Sequence, residues 1–245
     1  MEREQALRQL WKLAFGDPDS FLDGFFRAGF SPDRCRYLTE GETVTSALYW
    51  LDCQYAGETY AYLYAVATHP EHRGQGLCRR LMAETHAFLK NQGYAGVLLV
   101  PQEESLRKFY GSMGYETATS VSEFTCVPAE EPVPIREIGP EEYGALRRQY
   151  LPVGGALQEG ASVAFLETYA KFYAGQDFLL AAFLEEQFLW GMELLGNRDA
   201  APGILKALNR VRGQFRTPGQ ELPFAMFLPL KEGTSAPGYL GHCFD

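Results

Sequence analysis

The segment Tyr62–Met82 limits the fold more than any other part of the chain, because it predicts a strand, a glycine-containing turn and a helix in immediate succession. The strand is predicted over Thr59–Thr68 and the helix over Leu77–Asn91, and the turn between them contains Arg73-Gly74-Gln75-Gly76. Glycines in such a turn permit positive φ angles and let a ligand approach the backbone closely. Because the start of a helix favours anions, the segment predicts a binding site for a phosphate or a pyrophosphate.

Two common nucleotide-binding patterns are excluded by the residues of this turn. A Walker A loop requires Lys-Ser/Thr after its second glycine, whereas Gly76 is followed by Leu77 and Cys78. A dinucleotide fingerprint requires a third glycine where this chain has Arg79. It also requires an acidic residue at a strand end about twenty positions further on, which the sequence lacks. The expected phosphate ligand is therefore neither a simple nucleoside triphosphate nor a dinucleotide.

The composition is that of a globular protein and excludes several classes of function. The chain has 245 residues, of which 46% are hydrophobic and 22% are charged, so it can bury one large core or two smaller ones. Its 22 basic and 31 acidic residues give a formal net charge of −9. Since affinity for phosphate backbones requires positive charge, we expect no nucleic-acid partner.

Cysteine usage and hydropathy predict a cytoplasmic location. The five cysteines are odd in number and form no C-x-x-C pair, which favours neither a disulfide framework nor a cysteine zinc site. His69 and His72 do not follow the H-E-x-x-H pattern, so we expect no metal. No window approaches the roughly 20 apolar residues of a membrane span, and the N-terminus lacks the apolar stretch of a signal peptide. We therefore expect no membrane contact.

Hydrophobic periodicity predicts further elements on both sides of the turn. In the first half these are helices over 3–15 and from Asp17-Pro18 onward, strands Arg36–Glu40, Thr43–Asp52, Tyr94–Val100 and Tyr115–Val127, and a short helix over 103–112. In the second half they are helices Glu141–Tyr150, Val163–Tyr173 and Gly203–Phe215, with strands Phe178–Leu184, Phe188–Leu195, Pro223–Leu228 and a short one over Tyr239–Phe244.

The order of elements predicts two related domains. The segment 128–140 is rich in proline and acidic residues, which is typical of a linker. The elements on its two sides recur in the same order at a nearly constant offset, although few residues are identical. We therefore predict a first domain over 1–128, a linker over 129–140 and a second domain over 141–245.

Two motifs of the first half resemble the GNAT superfamily of N-acetyltransferases. The run Arg73-Gly74-Gln75-Gly76-Leu77-Cys78 is similar to the acyl-CoA-binding motif R/Q-x-x-G-x-G/A. Downstream, Leu106–Tyr115 resembles the F-Y-x-x-x-G-F/Y ending of the family, and one helix and one strand separate the two, as in the family. The resemblance covers residues 40–127. It implies an α/β (α+β) acyl-CoA N-acyltransferase fold, with a mixed, mostly antiparallel sheet and flanking helices, followed by a second GNAT-like domain.

The resemblance also implies roles for individual residues. Tyr110 is the expected general acid, which protonates the departing CoA thiolate. The backbone of Val66 and Thr68 is expected to pair with the pantetheine arm, and the amide of Val66 to polarise the thioester carbonyl. The 3′-phosphate is expected to contact one of three cations, Arg79, Arg80 or Lys108. The pyrophosphate is expected on the backbone amides of Arg73, Gly74, Gln75, Gly76, Leu77 and Cys78.

The chain departs from the family pattern at Glu103, where many members carry asparagine, and at two further positions. Cys78 takes the place of a glycine or alanine, and Tyr60 takes the place at which some members carry a glutamate base. The candidate bases are Glu58, His69 and Glu42, a water chain, or a group of the second half. The implied reaction is acetyl transfer from acetyl-CoA to a primary amine, on a small molecule or a peptide, by direct attack in a ternary complex. The alternative is a catalytically silent acyl-CoA-binding or regulatory module.

Two further features keep alternative interpretations. The alternating Tyr60, Tyr62 and Tyr64 indicate either an aromatic wall for a substrate or ordinary strand packing. In the second half, Pro202 and Asp199 stand where the first half has its glycine turn, so we expect no CoA binding there. The second half would instead close the sheet, shape the acceptor pocket or mediate pairing into a homodimer.

Overall fold

The structure, a computed structural model, describes residues 2–244 and contains two compact units. The first unit consists of the residues up to Glu116 together with Met226–Ala236, and the second of Thr117–Ala225 together with the residues from Pro237 onward. Both units carry helices and a mixed sheet. No helix within residues 2–244 is both long and apolar enough to cross a membrane.

The first unit is a mostly antiparallel sheet with helices on both faces. In chain order its elements are α1 (Glu2–Phe15), α2 (Asp19–Ala28), β1 (Cys35–Glu40), β2 (Thr43–Tyr55), β3 (Glu58–Thr68), α3 (Leu77–Asn91), β4 (Gly96–Leu99) and α4 (Glu104–Gly111). The strand order is β1-β2-β3-β4-β13-β5, where β5 is Glu116–Thr117 and β13 is Met226–Pro229. Only β3 and β4 pair in parallel; β1–β2, β2–β3 and β4–β13 are antiparallel.

The two faces of this sheet bury different side chains. On one face, Leu63 and its neighbours pack against Leu81 and Met82 of α3. On the other face, Tyr64 packs against Trp11 of α1 with ring centroids 5.5 Å apart, and Tyr49 and Phe25 join the same cluster. Strand alternation explains the division, because successive side chains of β3 point to opposite faces. Tyr64, the last of the three alternating tyrosines of β3, is thus part of the packing between the sheet and its helices.

The second unit repeats this architecture. Its elements are β6 (Ser120–Cys126), β7 (Arg136–Ile138), α5 (Pro140–Tyr150), α6 (Ala161–Glu167), β8 (Lys171–Ala174), β9 (Phe178–Leu184), β10 (Phe188–Gly196), α7 (Ala201–Ala207), β11 (Arg212–Pro218) and β12 (Leu222–Pro223). The strand order is β12-β6-β11-β10-β9-β8-β7, and only β10 and β11 pair in parallel. In both units a hairpin leads through a short 3-10 turn into a helix and then into a parallel strand. The predicted fold class, two successive domains of this mixed type, is confirmed.

Each sheet contains one strand from the other half of the sequence. β6 precedes the predicted linker but pairs with β11 of the second unit. β13 lies within the predicted second segment but pairs with β4 of the first unit. The compact units therefore have different boundaries from the segments 1–128 and 141–245, and residues 127–135, which form no regular structure, lie within the second unit.

Two predicted helices of the second half are too long. The helix predicted over Val163–Tyr173 ends at Glu167 and is followed by strand β8. The helix predicted over Gly203–Phe215 ends at Ala207, and Asn209 then adopts a positive φ of 54° before β11 begins. β11 is held between β10 and β6 by backbone pairing, and its charged Arg216 pairs with Glu123 of β6 at 2.9 Å. Sheet pairing outweighs local propensity at this position.

Candidate functional site

The parallel strands β3 and β4 separate toward the end of β3. They pair only at Tyr60–Tyr62, opposite Gly96–Leu98. Among the described residues, no position of β4 is paired with the remaining part of β3, up to Thr68. A strand edge without a partner offers backbone donors and acceptors to an extended ligand. The predicted contact residues Val66 and Thr68 both lie on this part of β3.

A bulge lies in the same part of β3. Tyr64 pairs with Tyr49 and Ala67 with Ala47 of β2, so two residues of β3, Ala65 and Val66, stand opposite one residue of β2. Ala65 adopts a φ of 49°, in the left-handed region that non-glycine residues rarely occupy. Such a conformation costs on the order of 1–3 kcal/mol and is found mainly where it serves a site. The bulge reorients the backbone at Val66.

The turn after β3 has the backbone that an anion site requires. Gly74 and Gly76 both have φ of +76°, and a Cβ atom at either would meet no neighbour within 4 Å, so backbone conformation and not packing requires glycine here. α3 follows directly, with Gly76 as its N-cap and no side chain bonded to its first amides. The turn residues are exposed. These amides are therefore open to an anion at the positive end of a helix of 15 residues.

The three candidate cations are placed differently. Arg79 bridges α3 to the end of α4: it donates to Ser112 Oγ at 2.5 Å and its guanidinium lies 5.2 Å from the Phe109 ring. Arg80 turns along its own helix and pairs with Glu84 at 2.8 Å. Lys108 is exposed on α4. Arg73, at the start of the turn, donates to the carbonyl of Thr68 at 3.3 Å and so joins the turn to β3.

Tyr110 is buried in the last turn of α4. Only 7% of it is exposed, and its ring contacts those of Phe109 and Tyr115 at 5.4 and 5.9 Å between centroids. Burial raises the pKa of Tyr110 above its ordinary value, and the neighbouring Cys78 of α3 adds to this effect. The phenol is therefore protonated at neutral pH and available as a proton donor.

Cys78 itself is half-buried at the start of α3. Burial raises the pKa of its thiol to about 11, with Arg79 opposing the shift. A thiol with this pKa is protonated at neutral pH, and only the thiolate is nucleophilic. Cys78 is therefore a small neutral side chain between the helix start and Tyr110, and not a reactive cysteine.

The candidate bases named from the sequence lie at two different places in the first unit. Glu58 stands at the opposite end of β3, ten residues before Thr68 and thus about 30 Å away at the rise of a strand, and it pairs with Lys231 at 2.7 Å. His69 Nδ1 accepts the amide of Glu71 at 3.3 Å. His69 and Glu42 line a cavity of about 670 Å³ between α1 and the turn joining β1 to β2. Tyr60 donates to the carbonyl of Ser235.

The corresponding place in the second unit has no open helix start. α7 has seven residues, includes Pro202 in its first turn, and lies against the segment that follows β6. The amides of Ala129 and Val133 bond to the carbonyls of Pro202 and Gly203 at 3.0 and 3.3 Å. A Cβ atom at Gly203 would approach Val133 to 2.5 Å. The start of α7 is thus covered by the chain itself.

The second unit instead buries a group of charged and polar side chains that sequence reasoning missed. Glu193 of β10 accepts Arg147 Nε and Nη2 at 2.7 and 2.9 Å, and it also accepts hydroxyls of Tyr143 and Tyr239 at 2.9 and 3.0 Å. His242 Nε2 lies 3.1 Å from the same carboxylate. Burial acts to raise the pKa of Glu193, but Arg147 and His242 outweigh it and hold the pKa well below its usual range. A glutamate in the apolar run FLWGMELLG was the available signal.

Comparison with known proteins agrees with this geometry. Residues 2–118 match the acetyltransferase (GNAT) domain family. No curated protein was found to match the chain. No group of three or more His, Cys, Asp or Glu among the described residues is arranged to hold a metal ion.

Solved structures resemble the chain over nearly its whole length. A protein of Enterococcus faecalis V583 described as a probable N-acyltransferase is 17% identical, with 94% of this chain and 70% of that chain covered and a TM-score of 0.68. Eis1 of Mycobacterium abscessus is 12% identical, with 94% and 71% covered and a TM-score of 0.68. A tandem GNAT protein of the clavulanic acid biosynthesis pathway is 12% identical, with 94% and 96% covered and a TM-score of 0.56. At these identities the likeness concerns the fold.

The first unit, which contains the glycine turn, is thus similar to a GNAT acetyltransferase domain, and it is followed by a second unit of the same architecture.

Proposed function

We propose that the chain transfers an acetyl group from acetyl-CoA to a primary amine of a small molecule or a peptide. One observation carries the proposal: the separated, bulged end of β3 leads directly into an exposed glycine turn and an uncapped helix start. Tyr110 lies beside the first turn of that helix. A binding edge, an anion site and a proton donor are thus contiguous within the first unit.

The donor substrate fits this arrangement through its own chemistry. Its pantetheine arm carries amides and can pair with the free edge of β3 at Val66 and Thr68, as an added strand does. Its pyrophosphate is an anion and suits the amides of residues 73–78. Arg79 is favoured over Arg80 for the 3′-phosphate, because Arg80 is paired with the carboxylate of Glu84 whereas the partners of Arg79, Ser112 and the Phe109 ring, are neutral.

The reaction needs a stabilised oxyanion and a proton for the leaving group. The amine nitrogen attacks the thioester carbonyl, and the amide of Val66 at the bulge donates to the developing oxyanion. The C–N bond forms as the C–S bond breaks, and the proton of the Tyr110 hydroxyl passes to the departing thiolate. The excess proton on the amine passes to solvent or to a base. Glu58 is a poor candidate for that base because of its distance and its pairing with Lys231.

The second unit is proposed to bind no CoA. Its helix start is occupied by Ala129 and Val133, and Pro202 removes one amide donor. Its interior holds the buried Arg147–Glu193 group, whereas Trp11 and Tyr64 pack against each other in the first unit. The second unit therefore contributes structure, including the strand β13 that its half of the sequence supplies to the first sheet.

The substitution Tyr110→Phe tests the proposed reaction. It keeps the buried ring and removes only the proton donor, so it is expected to lower kcat by about 10²-fold, the usual contribution of general acid catalysis, with little change in CoA affinity. The measurement is release of CoA thiol from acetyl-CoA across a panel of primary amines, with calorimetric titration of CoA beside it.

The outcomes separate the two candidate functions. Turnover with at least one amine, lost in Tyr110→Phe, supports the enzyme. CoA binding without turnover of any amine would favour the silent acyl-CoA-binding module. A fully active Tyr110→Phe variant would remove Tyr110 from the mechanism, and absence of CoA binding would exclude both functions.

A further inference from the structure

A hydrogen-bonded pair of side chains lies directly behind Tyr110. His86 Nε2 of α3 and the hydroxyl of Tyr115 are 2.7 Å apart. Tyr115 is only 2% exposed, whereas His86 is half-buried. Burial lowers the pKa of His86 to about 4 and raises that of Tyr115 well above its ordinary value, so both groups are neutral at neutral pH. His86 and Tyr115 have no part in the reaction proposed above.

The pair is joined to Tyr110 by two contacts. The rings of Tyr110 and Tyr115 meet edge-on, with centroids 5.9 Å apart and an angle of 64° between their planes. The amide of Tyr115 also bonds to the carbonyl of Tyr110 at 3.3 Å. The orientation of the Tyr115 ring therefore limits the orientations open to the Tyr110 ring.

The bond to His86 fixes the far end of the Tyr115 ring. Without it, the ring is held only at its Cβ atom and by packing, and a buried hydroxyl would lose its partner. His86 is itself carried by α3, the helix that starts at the glycine turn. A rigid connection thus runs from the helix of the anion site through His86 and Tyr115 to Tyr110.

We propose that His86 and Tyr115 are positioning residues, which hold the phenol of Tyr110 in the orientation for proton donation to the leaving thiolate. The proposal rests on the role given to Tyr110 above. Small displacements of a catalytic group are costly, since a misplacement of about 1 Å can reduce the rate by about 10²-fold. A tyrosine at position 115 is required for this role, because a phenylalanine there would fill the same space but could not bond to His86.

Three substitutions and a matched control test the proposal. Tyr115→Phe and His86→Ala remove the hydrogen bond, whereas His86→Gln retains a group that can bond to the Tyr115 hydroxyl. The control is Tyr94→Phe, which removes another partly buried phenol of the first unit, one that bonds to Asp52 at 2.7 Å and to Trp50 at 3.3 Å. Thermal unfolding of each variant reports its general effect on stability.

The first readout needs no turnover. In protein labelled with ¹³Cζ-tyrosine, the Tyr110 resonance is identified by its loss in Tyr110→Phe. Tyr115→Phe and His86→Ala are expected to shift or broaden it, while His86→Gln and Tyr94→Phe leave it in place. An unchanged Tyr110 resonance in Tyr115→Phe and His86→Ala would overturn the proposal.

The second readout is the release of CoA from acetyl-CoA with the amine of the panel that reacts fastest. Tyr115→Phe and His86→Ala are expected to lower kcat about 10-fold with KM for acetyl-CoA unchanged, and to have no further effect in the Tyr110→Phe background. Wild-type kcat in both variants, with Tyr110→Phe impaired, would reject the positioning role and leave the proposed function intact. Full activity of Tyr110→Phe would reject the role of Tyr110, and the resonance would still decide whether the pair orients its ring.

Discussion

Glu193 carries a charge in the interior of the second unit, where only 1% of its surface is exposed. Its partner Arg147 is 2% exposed, so both charges depend on each other and on the surrounding hydroxyls. Removing one member of such a pair leaves an unpaired buried charge, which costs more than the pair itself contributes. The packing is also tight, because a Cβ atom at Gly241 would overlap the Glu193 carboxylate.

The substitution Glu193→Gln is expected to destabilise the protein by about 3–5 kcal/mol, because Arg147 then stays buried without a countercharge. Chemical denaturation measures this loss. The matched control is Glu142→Gln, which breaks the exposed pair between Arg136 and Glu142 and is expected to unfold at the wild-type denaturant concentration. Equal midpoints for the two variants would contradict the importance given to the buried pair.

The same residues predict how stability depends on pH. The pKa of Glu193 is lowered in the folded protein, with burial opposing and Arg147 causing the shift, so its contribution is present above the ordinary value of 4.5 and is lost as pH falls below it. Burial also lowers the pKa of His242 from 6.5, so protonation of the unfolded chain already reduces stability below that pH. Stability is therefore expected to fall from about pH 6.5 downward, and less steeply in Glu193→Gln.

Several elements of the first half could be predicted from the sequence because each depends on residues close together in the chain. The glycine turn, the helix after it and the position of Tyr110 each follow from neighbouring residues, and the structure contains all three elements. The bulge at Ala65 and the bond between His86 and Tyr115 depend on partners 17 to 29 positions away, since Ala65 faces Leu48 and His86 faces Tyr115. Local periodicity carries no information on such contacts.

The elements show the same limit. Strands β8 and β11 were predicted as the ends of helices, although their sequences KFYA and RGQFRTP contain the strand-favouring residues Phe172, Tyr173 and Phe215. Their strand conformation comes from neighbours: β8 lies between β9 and β7, and β11 between β10 and β6. The fold class followed from the resemblance carried by the two motifs, and the order of elements indicated two related domains, whereas the pairing of β6 and β13 was not predictable.

Cleavage of the chain between β6 and β7 tests the pairing of β6 and β13 with strands from the other half of the sequence. A protease site inserted between Glu130 and Glu131, both exposed and outside regular structure, separates the chain into two fragments. The fragments are expected to elute together on size exclusion, because the first carries β6, which pairs with β11, and the second carries β13, which pairs with β4. They are expected to part only in denaturant. Separate elution of folded fragments would contradict the observed strand pairing.

The two units share one architecture but differ at the start of the helix that follows the hairpin, which is the place proposed to bind the donor substrate. The first has an exposed turn with two glycines of φ +76° and an open helix start. The second has a helix of seven residues whose start is bonded to its own chain. We therefore propose one acyl-CoA site in each chain, in the first unit.

Calorimetric titration of CoA into the intact protein tests this claim most directly. We expect one site per chain and about 10-fold weaker binding in Gly76→Ala, because an alanine in the left-handed region costs about 1–2 kcal/mol and the exposed turn relaxes away from its binding conformation. Gly144→Ala, in α5 where a Cβ atom meets no neighbour, is the control and should bind CoA as the wild type does. Two sites per chain, or wild-type affinity in Gly76→Ala, would contradict a single acyl-CoA site at the glycine turn of the first unit.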